Sequence, residues 1–173
     1  VTVDNYDWYM ESLLQRAWNE GRSVDYPRLR SLYVGLLLEG VEFYDWIARS
    51  SLGRSPKHVL LLHENDLAAM FVGDLIAALR GTGWTLIPAP EAYADPIGTL
   101  IQETLFNSQG RVAALAEARG IPRHDLVHPS EDEAYLEQRF AGAEVFGEIS
   151  QPNGRPAPWD LLFSPNRSGN TEV

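Results

Sequence analysis

Through most of the chain, apolar residues recur every three to four positions, the spacing that places them on one face of a helix. The longest such stretch follows Asp25-Tyr26-Pro27, where an acidic residue and a first-turn proline favour a helix start. The pattern predicts helices over residues 7–19, 27–49, 67–80, 111–119 and 130–140. For the last of these, Ser130 and Glu133 have the spacing of a capping box.

Two short apolar runs, Val59–Leu62 and Trp84–Ile87, interrupt the helical pattern. Four residues are too few for periodicity to separate a strand from a buried helix. The helix predicted between the two runs favours strands, because strand, helix and strand in about thirty residues form a βαβ unit. The sequence therefore predicts an α/β fold, rich in helix, with a βαβ unit around residues 59–87.

At 173 residues, of which 45% are hydrophobic, the chain is long enough to bury a core. Residues 1–147 carry the helical pattern, whereas residues 148–173 are rich in Pro, Gly, Asn and Ser and are expected to form a loop-rich tail. The chain opens with Val1 directly before a motif-like segment, so we expect further sequence upstream.

The charge and the missing cysteines exclude several classes of function. A formal charge of -10 disfavours a nucleic-acid partner. The lack of cysteine excludes disulfides and thiolate catalysis. No apolar run approaches the ~20 residues that span a bilayer.

His63 is the first candidate for chemistry, because it directly follows the apolar run Val59–Leu62. An ionisable group at the end of a buried strand stands where α/β proteins build active sites. Imidazole titrates near neutral pH and can act as a general acid or base. The alternative is a hydrogen-bonded histidine with a structural role only, which is also how we interpret His58 at the start of the run.

Asp4, Asp7 and Trp8 form the second candidate group. One carboxylate could pair with a basic group while Trp8 lines a pocket. The alternative, which the spacing alone favours, is that Asp4 or Asp7 caps the first helix.

His124 and His128 have the spacing with which two histidines on a helix can hold a metal ion. Pro122 and Pro129 leave little room for a helix there, and no third ligand lies nearby in sequence. The sequence therefore predicts no metal site in this chain.

Leu60-Leu61-Leu62-His63, followed by a helix that ends in glycine and by Thr85-Leu86-Ile87, resembles the last motif of the polysaccharide deacetylases, the NodB-like carbohydrate esterases. The segment from Asp4 to Asp7-Trp8 resembles the motif that precedes it. The stretch Glu91-Ala92-Tyr93-Ala94-Asp95-Pro96 is similar to one branch of this family. The resemblance covers residues 1–96 well and residues 97–147 more loosely.

The resemblance implies a distorted (β/α) barrel that removes an N- or O-linked acetyl group from a sugar with a divalent metal, zinc in the first place. His63 would be the acid that protonates the leaving amine or alcohol, and Asp4 or Asp7 would keep it charged. Trp8 and Leu61 would form the wall around the acetyl methyl group.

The family's Thr-Phe-Asp-Asp, His-x-x-x-His and Arg-Pro-Pro motifs are absent. The chain therefore resembles the C-terminal half of such a domain, without the aspartate base and without the metal ligands. The expected partners are an acetylated glycan and an N-terminal half, or another chain, that covers the exposed core. The family suggests a periplasmic or extracellular location. The alternative function is a non-catalytic module of the same fold that binds carbohydrate or serves assembly.

Overall fold

Helices form most of the chain in the computed structural model, which describes residues 1–101, 106 and 109–149. The α-helices are α1 Asp7–Asn19, α2 Tyr26–Leu52, α3 Asp66–Gly81, α4 Ala89–Tyr93, α5 Arg111–Glu117 and α6 Glu133–Gly142. Single 3-10 turns lie at Pro96–Thr99, Arg123–Asp125 and Pro129–Glu131. No helix in this part of the chain is long and apolar enough to cross a membrane.

The central element is α2, which both hydrophobic clusters share. Asp25 caps its start by accepting the N–H of Arg28 at 3.0 Å, and Gly53 ends it with a left-handed φ of 75°. The first half of α2 packs against α1, α3 and α6. The second half packs against α5 and against Val3. Burial of these apolar faces is the main favourable contribution to folding.

The start of α6 differs from the predicted capping box. Its N-cap is Asp132, whose side chain accepts the N–H of Tyr135 at 2.7 Å. Ser130 instead lies in the preceding 3-10 turn, where its N–H donates to the ring of His128. The predicted cap was wrong by two residues, because Asp132 is also a favoured N-cap residue and lies directly before the first helical residue, Glu133.

The sheet has two antiparallel strands, β1 Arg22–Val24 and β2 Phe146–Ile149. Val24 pairs with Phe146 and Arg22 with Ile149. The strand β2 extends past the expected domain boundary, since Glu148 and Ile149 belong to it. The rest of the predicted tail, residues 150–173, lies outside the described residues.

The predicted βαβ unit is formed only in part. Its connecting helix is α3, but the run Val59–Leu62 makes a single parallel bridge, between Leu60 and Val3, and Trp84–Ile87 is not a strand. The hydrogen bonds of the first run are made on one side, toward residues 2–5. An apolar groove of about 370 Å³ lies between the two runs. The described residues form a helix-rich fold with a small sheet and no closed barrel.

Candidate active site

The site is built where residues 2–5 and 59–63 run side by side. Val3 pairs with Leu60 in parallel, and successive side chains of an extended chain alternate between faces. Asp4 and Leu61 therefore share the face opposite to Val3, and His63 follows two positions beyond Leu61. The amide of Asn5 donates to the carbonyl of Leu61 at 2.6 Å and fixes this register just before α1 begins.

His63 and Asp7 are joined at two points. The main-chain N–H of His63 donates to Oδ2 of Asp7 at 2.8 Å, and Nδ1 of the ring lies 2.5 Å from Oδ1. Asp7 is completely buried, whereas 46% of the His63 side chain is exposed. Because Asp7 occupies Nδ1, the outward nitrogen Nε2 is the one that can exchange a proton with a bound molecule.

Asp7 does not cap α1, although the spacing favoured that interpretation. The N-cap position is Tyr6, which makes no side-chain capping bond. Asp7 occupies the first turn, where the helix dipole favours a carboxylate, and its N–H donates to Oδ1 of Asn5 at 2.8 Å. The helix therefore helps to hold a buried negative group against His63.

Side chains of α1 and of the loop after His63 fix the start of α3 beside the same site. Glu11 accepts the N–H of Leu67 at 3.0 Å, and Asn65 accepts the N–H of Ala68 at 2.8 Å. Gln15 donates to Asp66 at 2.8 Å. The bonds to Leu67 and Ala68 satisfy N–H groups that a helix start leaves free, whereas the Gln15–Asp66 bond joins the side chains of α1 and α3. An open cleft of about 880 Å³ lies here, and His63, Glu64 and Asn65 line part of it.

Asp4 lies near His63, and its closest polar contact is local. It is half-buried and accepts the N–H of Asn5 at 2.9 Å. Burial raises the pKa of Asp4, while the Asn5 N–H and the charge of His63 act in the opposite direction. Of the two aspartates that the sequence left open, Asp7 is the one that contacts His63.

Trp8 is on the surface and is 42% exposed. Its ring lies 5.2 Å from the ring of Tyr6 and 5.5 Å from that of Tyr9, measured between centroids. Leu61, the other predicted wall residue, is half-buried on the face that carries Asp4. Sequence reasoning missed the two tyrosines, although their positions on either side of Trp8 were visible.

Sequence reasoning also missed Glu131, which is 6% exposed. It accepts hydrogen bonds from Tyr44 and, at 2.7 Å, from Gln109. Burial raises the pKa of Glu131, and the charge of Asp4 adds to this effect. The sequence analysis interpreted the segment around Glu131 only as a helix start, because no pattern in the sequence indicated that Glu131 would be buried.

The other histidines lie apart from the site. The His58 side chain is only 7% exposed, with Nε2 3.2 Å from Asp45 and Nδ1 3.1 Å from Thr2, and burial lowers its pKa. His124 is exposed in a 3-10 turn, whereas His128 is buried with Nδ1 2.7 Å from Ser130. No helix places His124 and His128 on one face.

A divalent metal, as the deacetylase resemblance implies, does not fit the described residues. Nowhere in residues 1–101, 106 and 109–149 do three or more His, Cys, Asp or Glu side chains form a group that could hold a metal ion. Nδ1 of His63 is already engaged by Asp7. We therefore assign no metal ligand in this part of the chain.

Family models, curated proteins and solved structures were each compared with the chain, and none matches it. The chemistry of the site is therefore inferred from its own side chains. These are an imidazole that a buried carboxylate holds at Nδ1, a half-exposed ring, and an open cleft that His63 lines together with the apolar side chains of Leu62 and Val72. Such a pair suits proton transfer to or from a bound molecule.

Proposed function

We propose that this chain is the C-terminal part of a polysaccharide deacetylase-type (β/α) barrel domain and that it takes part in hydrolysis of a sugar acetyl group. His63 is the general acid of this reaction. The observation that carries the proposal is the pair His63–Asp7, with Nδ1 2.5 Å from the carboxylate and the ring half exposed. A histidine held in this way presents Nε2 in a fixed direction.

The chemistry requires such a proton donor. Hydrolysis of an N-acetyl group adds water to the carbonyl carbon and breaks the bond from that carbon to nitrogen. The nitrogen leaves as an amine only if it receives a proton as the bond breaks. His63 supplies that proton from Nε2, and Asp7 stabilises the charged ring before transfer. An O-acetyl group would use the same step at oxygen.

The family's metal supplies an activated water when it is bound. The residues that the structure describes do not provide its site, so we derive no step through it. We propose that the metal ligands and the aspartate base belong to an N-terminal half, which would also cover the open edge at residues 60–62. A glycan substrate of this kind is consistent with a periplasmic or extracellular location.

The substrate is an acetylated glycan. Trp8 follows Asp7 directly in sequence, and Leu61 lies two residues before His63; their side chains would supply the apolar surface that contacts the acetyl methyl group. The face that Asp4, Leu61 and His63 share would receive the sugar unit that carries it.

Acetate release from N-acetylated chito-oligosaccharide by the full-length product of the gene tests the proposal. We expect His63→Ala to lower the rate by about 10²–10⁴-fold, the usual contribution of general acid–base catalysis. The matched control is His124→Ala, because His124 is an exposed histidine outside the site. A His63→Ala protein that releases acetate as fast as the His124→Ala protein would refute the assignment.

A further inference from the structure

A hydrogen-bonded chain of three side chains lies behind the pairing that builds the site: Asp45 of α2, His58 and Thr2. Nε2 of His58 lies 3.2 Å from Oδ1 of Asp45, and Nδ1 lies 3.1 Å from Oγ1 of Thr2. All three side chains are buried. A buried polar network is stable only when each donor has an acceptor, so the position of each proton follows from the contacts.

The carboxylate of Asp45 fixes the tautomer of His58. Burial opposes the charge of Asp45, but hydrogen bonds from Ser55, Arg49 and His58 hold its pKa below the ordinary value. Asp45 can therefore only accept, and the proton of the neutral imidazole is on Nε2. Burial also lowers the pKa of His58, which favours the neutral ring. Nδ1 then carries a lone pair, and this lone pair faces the hydroxyl of Thr2.

The hydroxyl of Thr2 has one proton and directs it to His58. The other acceptor within reach is the carbonyl of Val59 at 3.4 Å, which already accepts the N–H groups of Thr2 and Val3. The oxygen of Thr2 is thereby left to accept the main-chain N–H of Val59 at 2.7 Å. The chain of side chains thus ends on the backbone of the run Val59–Leu62.

This contact helps to set the register of the site. A single parallel bridge, Val3 with Leu60, joins the two segments, so main-chain pairing holds the register at few points. A slip by one residue would move Asp7 by about 3.3 Å along the partner segment and turn neighbouring side chains to the other face. The contact of Asp7 with His63 therefore depends on the observed register.

The start of α5 confines Thr2 from another side. The N–H of Arg111 donates to the carbonyl of Val1 at 3.0 Å. A Cβ atom at Gly110 would lie only 3.1 Å from the main chain of Thr2, so α5 approaches closely because this residue is a glycine. Thr2 is thus held between α5 and His58.

We propose that Thr2 and His58 are positioning residues for the candidate acid His63. Together with Asp45, they fix the register in which Asp7 reaches that ring. Neither residue contacts the substrate. Their effect on the rate of acetate release rests on the proposed function, whereas their effect on the contact between Asp7 and His63 does not.

Two threonine variants of the full-length gene product test the proposal. Thr2→Val keeps the shape of the side chain and removes the hydroxyl, whereas Thr2→Ser keeps the hydroxyl. In protein with isotope-labelled histidine, NMR detects the Nδ1–H proton of His63 far downfield while it is hydrogen-bonded to Asp7, and Asp7→Asn identifies this resonance by its loss. We expect Thr2→Val to lose the resonance and Thr2→Ser to keep it.

The kinetics of acetate release give a second measurement. In Thr2→Val, kcat should fall by about tenfold or more, the usual effect of losing a group that orients an active-site side chain from behind. KM should change little, because the contacts with the substrate remain. Thr2→Ser should restore kcat close to the parent value, which a loss of packing alone would not explain.

A histidine pair decides the matter if Thr2→Val does not fold. His58→Ala removes the ring in the middle of the chain of side chains. The matched control is His128→Ala, which removes another buried ring, one whose Nδ1 lies 2.7 Å from Ser130. We expect His58→Ala to lose the His63 resonance and His128→Ala to keep it.

Retention of the His63 resonance in either folded variant, Thr2→Val or His58→Ala, would overturn the inference, and so would its loss in Thr2→Ser. These outcomes do not depend on acetate release, so the positioning role can fail while His63 remains the acid. Conversely, normal acetate release by His63→Ala would refute the proposed function and leave the NMR result intact.

Discussion

The carboxylate of Asp7 contacts His63 through both oxygens: Oδ2 accepts its main-chain N–H at 2.8 Å, and Oδ1 lies 2.5 Å from Nδ1. One buried group thus fixes both the backbone position and the ring orientation of the histidine. Asp4 has neither contact, although it is also a carboxylate on the same segment.

The two aspartates should therefore differ when each is replaced by asparagine. Asp7→Asn keeps the size of the side chain but removes the negative charge that stabilises and orients the imidazole. We expect a loss of acetate-release rate of about 10²-fold or more for Asp7→Asn and a clearly smaller loss for Asp4→Asn. The measurement is kcat on acetylated chito-oligosaccharide. Equal losses of rate for Asp7→Asn and Asp4→Asn would show that the direct contact between Asp7 and His63 does not account for the effect.

A second prediction concerns Asp95, which joins the loop after α2 to the 3-10 turn that follows α4. Asp95 accepts two hydrogen bonds from Arg54, at 2.9 and 2.6 Å, and one each from the N–H groups of Lys57 and Ile97. It is 7% exposed. Asp95→Asn should lower the free energy of unfolding at neutral pH by about 2–4 kcal/mol, because Arg54 loses its buried partner. The control is Glu91→Gln, which breaks the exposed pair with Lys57 and should cost less than about 1 kcal/mol.

The same variant has a defined pH dependence. The Arg54 guanidinium holds the pKa of Asp95 well below its ordinary value. The folded state therefore favours the ionised form, and the stability it contributes is present above the unfolded pKa and lost as the pH falls through the folded pKa. The difference between wild type and Asp95→Asn should be constant above about pH 5 and shrink in stronger acid. A difference that grows on acidification would contradict the ion pair.

Two buried tyrosines of α2 give a third, paired prediction. The hydroxyl of Tyr33 has no hydrogen-bond partner among the described residues, whereas that of Tyr44 donates to Glu131. Burial, with smaller effects of Asp7 and Glu11, raises the pKa of Tyr33. Tyr33→Phe should leave the free energy of unfolding unchanged or raise it by up to about 1 kcal/mol. Tyr44→Phe should lower it by about 1–3 kcal/mol, because Glu131 then loses a buried donor.

Chemical denaturation of the two variants measures this difference. A loss of more than about 1.5 kcal/mol for Tyr33→Phe would show that its hydroxyl has a partner, such as a buried water. Equal losses of unfolding free energy for Tyr33→Phe and Tyr44→Phe would contradict the predicted difference between the two tyrosines.

The helices were predictable because their signals are local. The sequence prediction for the first helix, residues 7–19, coincides with α1. Asp25 with Pro27 marked the start of α2, and the predicted helix over residues 67–80 corresponds to α3. Periodicity and capping depend on residues within one or two turns, so a single sequence carries them.

The strands were not predictable, because pairing depends on distant partners. Nothing near Arg22–Val24 indicates that it pairs with Phe146–Ile149 at the other end of the described chain. The apolar run Trp84–Ile87 had strand composition, yet it pairs with no other segment within the described residues. The composition of a segment indicates that it can form a strand. Whether another segment pairs with it in register is determined by the tertiary packing.

The candidate site was predictable only in part. Its position after an apolar run identified His63, but the spacing of Asp4 and Asp7 could not choose between them. The choice follows from the register of Val3 with Leu60 and from the bond of Asn5 to Leu61. Neither contact leaves a signal in the sequence, since both join segments more than fifty residues apart.

The most direct test of the central claim, that His63 is a general acid, compares two leaving groups. The full-length gene product and its His63→Ala variant are assayed on N-acetylated chito-oligosaccharide and on p-nitrophenyl acetate. The sugar amine must be protonated to leave, whereas p-nitrophenolate leaves without a proton. We expect His63→Ala to lose about 10²-fold or more on the sugar and less than about tenfold on the ester. Equal losses on both substrates would contradict the role of His63 as the acid.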